Sequence, residues 1–376
     1  MPLMKLPEFA PDLSNALAAR NTERVDTPVI QPAEPFLDMA GEDLRRRIFM
    51  TESETGASLC LRPEFTIPVC LRHIETATGT PRRYSYLGEV FRQRREGPNE
   101  FYQAGIEDLG DAATSVADAR AIADAFGILD EVGSASLQGV LGDQAVFEAV
   151  VAALGLPSGW QKRLIHAFGN SAQIESLLAR LERPEPVTGL SDEVHRLLAA
   201  EDDAAIIAHI DATMEATGYS TNASRSPDDI ARRLRQKLSL SETRLAPGAI
   251  GTLRAFLSLS VPLSDAPAAL TAFAETAGLS LGHALPAFTA RVEALRQTGC
   301  DPARVVYRAA FGRPLDYYTG LVFEISDESG AVLAGGGRYD RLLTLLGADH
   351  HIPAVGFALW LDRIEQALAR AKGAKE

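Results

Sequence analysis

The chain has 376 residues, 46% of them hydrophobic, enough to bury a substantial core and to form two structural units. Its 37 basic and 50 acidic residues leave a net charge of -13, which disfavours nucleic-acid binding, because sequence-independent affinity for nucleic acid comes from neutralising phosphates. No apolar run is long enough to span a bilayer, and the N-terminal MPLMKLPEFAPDL does not read as a targeting segment, so a soluble, cytoplasmic protein is expected.

In chain order, residues 10–22 suggest a short helix, and TPVIQP (27–32) a strand with Pro28 near its start. Two strand-like stretches follow between Tyr84 and Gly110, YSYLGEVFR and EFYQAGIEDLG. Val116, Ala119, Ile122, Ala123, Phe126 and Leu129 then recur at helical spacing and predict an amphipathic helix over 114–132. Leu137 to Leu154 reads as one more strand and helix. From about 158 to 300 the sequence is helix-rich, broken by PEP (184–186), TGYSTNASRSPDD (217–229) and LAPG (245–248), with Ser191 and Ser226-Pro227 placed as helix starts. A further strand-like stretch is GRPLDYYTGLVFE (312–324). The tail LDRIEQALARAKGAKE forms one amphipathic helix with Leu361, Ile364 and Leu368 on its apolar face.

Side chains alternate between the faces of a strand, so Phe101, Gln103, Gly105, Glu107 and Leu109 share one face and Tyr102, Ala104, Ile106 and Asp108 the other. On the preceding stretch Tyr86, Gly88, Val90 and Arg92 share a face, which puts Arg92 at the end of a neighbouring strand. A carboxylate, an amide and a guanidinium on one sheet floor can hold a zwitterion, Glu107 taking an ammonium and Arg92 a carboxylate. An internal salt bridge gives the same pattern. The run Arg82, Arg83, Arg92, Arg94 and Arg95 reads as a solvated strand-end cluster, with phosphate binding as the alternative. Cys60, Cys70 and Cys300 form no C-x-x-C pair and lie near no histidine cluster, so neither a disulfide framework nor a metal site is expected; Cys60 and Cys70, in apolar runs, read as core. His350 and His351 read as a polar loop.

Seven blocks carry a resemblance: TPVIQPAEPF (27–36), LRPEFT (61–66), GEVFR (88–92), FYQAGIEDLG (101–110), GRPLDYYTGLVFE (312–324), GGGRYDRLL (335–343) and AVGFALWLDRI (354–364). In this order they resemble histidyl-tRNA synthetase, LDYYTG and GGRYD being its histidine-specific signatures and the others general class II blocks. The resemblance implies an α+β fold: a class II synthetase-like antiparallel sheet flanked by helices, formed by residues 1–157 and 301–376, with a helix-rich insertion over 158–300. Only thirteen residues follow Arg363, so the anticodon-binding domain of the family is expected to be missing. By resemblance, Glu64, Thr66, Gln103 and Glu107 match contacts to the ammonium of histidine, and Arg92 the arginine of the carboxylate and α-phosphate side. Tyr317 and Tyr318 match the walls of the imidazole pocket, and Arg313 the arginine that stabilises the activating phosphate. Pro28 matches the dimer-interface proline, implying a homodimer. Gly335, Gly336 and Gly337 are expected at a tight passage where absent Cβ atoms let a side chain or ligand approach.

The chain departs from the synthetase pattern where ATP would bind. The loop QRREGPNE (93–100) is about three residues short, Arg94 replaces a glutamate, Trp360 replaces a small glycine under the adenine, Asp362 replaces a glutamate, and Pro314 follows Arg313 in place of glycine. Arg363, which touches the triphosphate in the family, is retained. A histidine pocket kept while ATP and tRNA recognition are lost resembles the regulatory subunits of ATP phosphoribosyltransferase. That resemblance implies a chain without catalytic residues or cofactor, which supports a short catalytic subunit and mediates feedback inhibition by L-histidine, as homodimers within a hetero-octamer. The alternatives are a histidine-activating class II enzyme and a structural activator that does not sense histidine.

Overall fold

A computed structural model describes residues 5–39, 41–95, 97–183, 190–200, 202–217, 226–243, 247–313 and 317–373. The chain divides into two compact units, Met1–Ala153 with Phe168–Asn170 and Ala255–Glu376, and Leu154–Ala167 with Ser171–Arg254.

The strands are β1 (Glu23–Arg24), β2 (Ile30–Pro32), β3 (Met50–Glu52), β4 (Ser58–Leu61), β5 (Arg82–Phe91), β6 (Glu100–Leu109), β7 (Gln138–Asp143), β8 (Ser260–Pro262), β9 (Val305–Arg308), β10 (Leu321–Ser326), β11 (Val332–Arg338) and β12 (Ala354–Trp360). All belong to the first unit. Nine of them form one sheet in the order β1-β5-β6-β12-β11-β10-β7-β9-β8, and β2-β4-β3 form a smaller one. From β5 to β7 every pairing is antiparallel; β1 joins β5 and β9 joins β7 in parallel.

The back of the sheet is covered by the helix Thr114–Glu131, which buries Ala121, Ile122, Ala125, Phe126 and Leu129 at helical spacing. The front cluster is richer in aromatics, with Phe65, Tyr84, Tyr86, Phe101, Tyr317, Tyr318, Tyr339 and Trp360. Cys60 and Cys70 sit in that cluster, fully buried, as their apolar neighbours indicated. The first helix, Ala10–Ala18, stops four residues short of the expected end. There the Thr22 hydroxyl donates to the Leu17 carbonyl, and Asn21 turns the chain with φ 52°.

Residues 255–300 belong to the sheet-bearing unit rather than to the helical one in which they were expected. β8 pairs with β9, and the helix Ala284–Gln297 is pinned by Arg291, whose Nε donates to Asp118 at 2.7 Å. The second unit has its own small core around Leu198, Ile206, Ile210 and Ala231. Ser191 and Ser226 cap its helices as expected, accepting from Val194 N at 3.3 Å and Asp229 N at 3.2 Å. The expected breaks at 184–186, 218–225 and 245–246 lie outside the described residues. Among the described residues no helix is long and apolar enough to cross a membrane.

Candidate functional site

Register places Gln103 and Glu107 of β6 each opposite a glycine. Glu107 pairs with Gly356 on β12 and Gln103 with Gly88 on β5. A Cβ on Gly356 would lie 1.7 Å from Glu107 Oε2, so the carboxylate occupies space that only glycine leaves open. On β11, a Cβ on Gly335 would meet the Arg313 guanidinium at 2.9 Å and one on Gly337 the Tyr318 ring at 2.8 Å. The expected tight passage is thus a regular strand whose bare positions admit an arginine and a tyrosine.

Above this floor lies a cavity of about 120 Å³, lined among others by Glu64, Phe65, Thr66, Tyr86, Arg92, Gln103, Arg313, Tyr317, Tyr318, Tyr339 and Trp360. Gln103 is 1% exposed, and its Oε1 has no hydrogen-bond partner, an acceptor left open beside the cavity. Arg92 stands just past the end of β5; its Nε donates to the Pro63 carbonyl at 2.6 Å. Burial pushes the Arg92 guanidinium down to about 10, against the pull of the nearby Glu64 carboxylate. Arg313 donates from Nη1 to the Tyr318 hydroxyl at 3.1 Å and approaches Glu324 at 3.3 Å. The Tyr317 ring tilts against Tyr318 at 5.0 Å and meets Tyr339 edge-on at 5.9 Å. Pro314, with Leu315 and Asp316 of LDYYTG, lies outside the described residues, as does Glu96 of the shortened loop.

Three of the residues expected to hold an ammonium are already engaged with one another or with the backbone. Both Glu64 oxygens accept amides, from Thr66 at 2.7 Å and Ile67 at 2.9 Å, and so staple the N-terminus of the helix Thr66–Glu75. The Thr66 hydroxyl donates to Glu107 Oε1 at 2.7 Å, and the Tyr339 hydroxyl donates to Glu107 Oε2. Glu107 is not part of the cavity lining; its two hydroxyl partners are. Burial pushes its carboxyl up to about 8, the hydroxyls of Tyr339 and Thr66 opposing and Glu64 reinforcing. Tyr339, like Phe65 and Tyr86, is a site residue to which the sequence assigns no role. Alternation along β11 carries the signal, because residue 339 falls on the face of Gly335 and Gly337.

At the other end of the cavity Trp360, 6% exposed, has Arg363 4.8 Å and Arg313 5.6 Å from its ring centroid. Arg94 stacks on Phe101 at 3.5 Å and donates to Asp362 Oδ2 at 3.0 Å. The departures at Arg94, Trp360 and Asp362 thus come together, Arg94 bonding the carboxylate two residues past the indole. The arginine run is not a uniformly solvated cluster. Arg83 pairs with Asp108, its neighbour across the β5–β6 ladder, at 3.0 Å and with Asp124 of the helix Thr114–Glu131, and Arg94 is held by Asp362 of the C-terminal helix Leu361–Gly373. No group of three or more His, Cys, Asp or Glu among the described residues is arranged to hold a metal ion.

The family model of histidyl-tRNA synthetase matches residues 6–236 and 231–364. The ATP phosphoribosyltransferase regulatory subunit of Rhizobium rhizogenes is 71% identical over 371 residues, covering 98% of this chain and 100% of that protein. Its counterpart in Rhizobium meliloti is 67% identical over 377 residues, covering 99% and 100%. Among solved structures, an ATP phosphoribosyltransferase regulatory subunit/histidyl-tRNA synthetase from Bacillus halodurans superposes with a TM-score of 0.66 at 21% identity, covering 98% of this chain and 82% of that one. A histidyl-tRNA synthetase from a Nostoc species gives 0.65 at 16% identity, covering 99% and 75%. These two likenesses establish the class II synthetase-like fold.

Proposed function

The chain belongs to the family of ATP phosphoribosyltransferase regulatory subunits, built on the histidyl-tRNA synthetase fold, and from that premise we propose that its cavity binds free L-histidine and passes occupancy to a catalytic subunit. The observation that carries the reading is the buried, unpartnered Gln103 Oε1 beside a cavity that also presents the Arg92 guanidinium and two tyrosine rings. Arg92 takes the carboxylate. Gln103 Oε1 and the remaining lone pairs of Glu64 take the ammonium, each carboxylate oxygen having room for a second donor. The imidazole lies against Tyr317 and Tyr318, with the Thr66–Glu107–Tyr339 chain behind it, and Arg313, itself in the lining, fixes the Tyr318 hydroxyl.

Adenylation is disfavoured although Arg92, Arg313 and Arg363 remain. A base would have to displace Trp360, and the Arg94–Asp362 pair stands beside it. The output is therefore regulatory: homodimers of this chain join a short catalytic subunit in a cytoplasmic hetero-octamer, and histidine binding lowers phosphoribosyl transfer by disfavouring the arrangement of the assembly that binds the catalytic subunit's substrates. Linkage then requires the catalytic subunit's substrates to weaken histidine binding by the same factor, commonly about 5–150-fold. The test is a histidine titration of the reconstituted complex at zero and saturating substrates. Equal affinity under both conditions would leave the chain a structural activator, and no histidine binding to the purified chain would remove the pocket assignment itself.

A further inference from the structure

Between Gly337 and Tyr339, which face the cavity side of β11, Arg338 points the opposite way and is 4% exposed. Its Nε donates to Asp118 Oδ1 at 2.7 Å, Nη1 to Asp340 Oδ1 at 2.6 Å and Nη2 to the Thr114 carbonyl at 3.1 Å, with Nη2 also 2.6 Å from Asp118 Oδ1. Its backbone carbonyl accepts from Thr319 N at 2.8 Å, and Asp340 N donates back to the Thr319 hydroxyl at 3.0 Å. Thr319 directly follows Tyr317 and Tyr318. The main chain of residues 338 and 340 therefore ties the segment around Tyr339, just past the end of β11, to the turn that carries both pocket tyrosines, and the Arg338 side chain fixes that main chain through Asp340 and Asp118. Asp118 is itself shared with Arg291, which also pairs with Asp143, so the anchor continues through a buried ion chain on the far side of the sheet.

We propose that Arg338, which does not line the cavity, is a positioning residue of the ligand pocket: its side chain fixes residues 338–340 against Asp118 and the Thr114 carbonyl, aligns the main-chain groups that bond Thr319, and so holds the Tyr339 hydroxyl on Glu107 and the Tyr318 ring over Gly337. The inference rests on the histidine reading for its affinity readout, but not for its geometry. A side chain that only stabilised the fold would change the unfolding midpoint and leave the pocket's own chemistry alone. A positioning residue acts through Tyr339, and its effect disappears once that hydroxyl is gone. Asp118 retains Arg291 when Arg338 is replaced, so the buried carboxylate is not left bare.

The experiment uses the full chain with Arg338→Gln, Arg338→Lys, Tyr339→Phe and the Arg338→Gln/Tyr339→Phe double variant. It measures histidine affinity by calorimetry and the ligand-free titration of Glu107 by carboxyl carbon resonance. Arg338→Gln should weaken histidine by about tenfold or more, Arg338→Lys should recover part of that, and the double variant should be within about twofold of Tyr339→Phe alone. Without ligand, Glu107 should titrate higher in Arg338→Gln than in the parent, because it loses the Tyr339 donor. Unchanged affinity with unchanged titration overturns the proposal, as does a loss that multiplies fully with Tyr339→Phe. If the parent binds no histidine yet the Glu107 titration moves, the positioning stands and the histidine reading falls; if neither responds, both fall. Should Arg338→Gln fail to fold, Asp118→Asn/Arg338→Gln removes the pair together and is put through the same two measurements.

Discussion

Replacing Glu107 by Gln tests whether burial governs the floor of the pocket. In the native chain burial raises this carboxyl from 4.5 to about 8, with Tyr339 and Thr66 hydroxyls opposing and Glu64 adding to the rise; Cys70, Tyr86, Tyr317 and Tyr318 are further titratable neighbours. Between those values the native state holds a proton that the unfolded chain has released, so the stability contributed by this carboxyl is complete below pH 4.5 and is lost as pH climbs to about 8. At about 1.4 kcal/mol per unit the whole excursion is about 5 kcal/mol, of which about 2 kcal/mol is gone by pH 6. Glu107→Gln cannot titrate there. Urea unfolding of both proteins from pH 4.5 to 8.5, followed by tryptophan fluorescence, should show the variant gaining on the parent by that amount as pH rises. A constant difference across the range would refute the reasoning, because it would mean that the two hydroxyls offset burial and the carboxyl ionises at its ordinary value.

Three further outcomes follow from the same geometry. Gln103→Leu removes an acceptor that has no partner in the free protein, so unfolding stability should hold or rise while calorimetry shows histidine affinity falling by about tenfold. Gly356→Ala puts a methyl on Glu107 Oε2; the thermal midpoint should drop with a loss of about 3 kcal/mol or more, and the loss should shrink in a Glu107→Gly background. Trp360→Gly should cost about 3–5 kcal/mol in denaturant unfolding by opening a buried cavity, and the parent should show no histidine-dependent pyrophosphate exchange; exchange gained in the variant identifies the indole as the steric block, and exchange by the parent sinks the non-catalytic reading.

The sheet was legible because its strands alternate: one glance along EFYQAGIEDL puts Gln103 and Glu107 on one face, and in the fold Gln103 lines the cavity while Glu107 bonds Thr66 and Tyr339, which line it too. What alternation does not give is how a polar atom is spent. Glu64 lies two residues before a helix, and only the folded helix start turns its carboxylate to the Thr66 and Ile67 amides. The open acceptor on Gln103 is likewise a statement about neighbours in space. The end of the insertion was not legible either, because the helices Ala266–Ala277 and Ala284–Gln297 have the same helix-rich character as the segment before them. Their place is fixed by pairing across long separations, Arg291 meeting Asp118 from 173 positions away.

The two amides held by Glu64 offer a spectroscopic reporter for the proposed ligand. Its two oxygens already accept the Thr66 and Ile67 amides, so a cationic group entering the cavity must share those acceptors with the first turn of a helix. Charge drawn toward the newcomer weakens two identified N–H···O bonds, and the corresponding amide proton shifts and exchange rates change with it. Occupancy can then be followed on the intact assembly from two backbone resonances, with no labelled ligand and no turnover, and a compound that reaches the tyrosines but leaves those two amides still has not engaged the carboxylate.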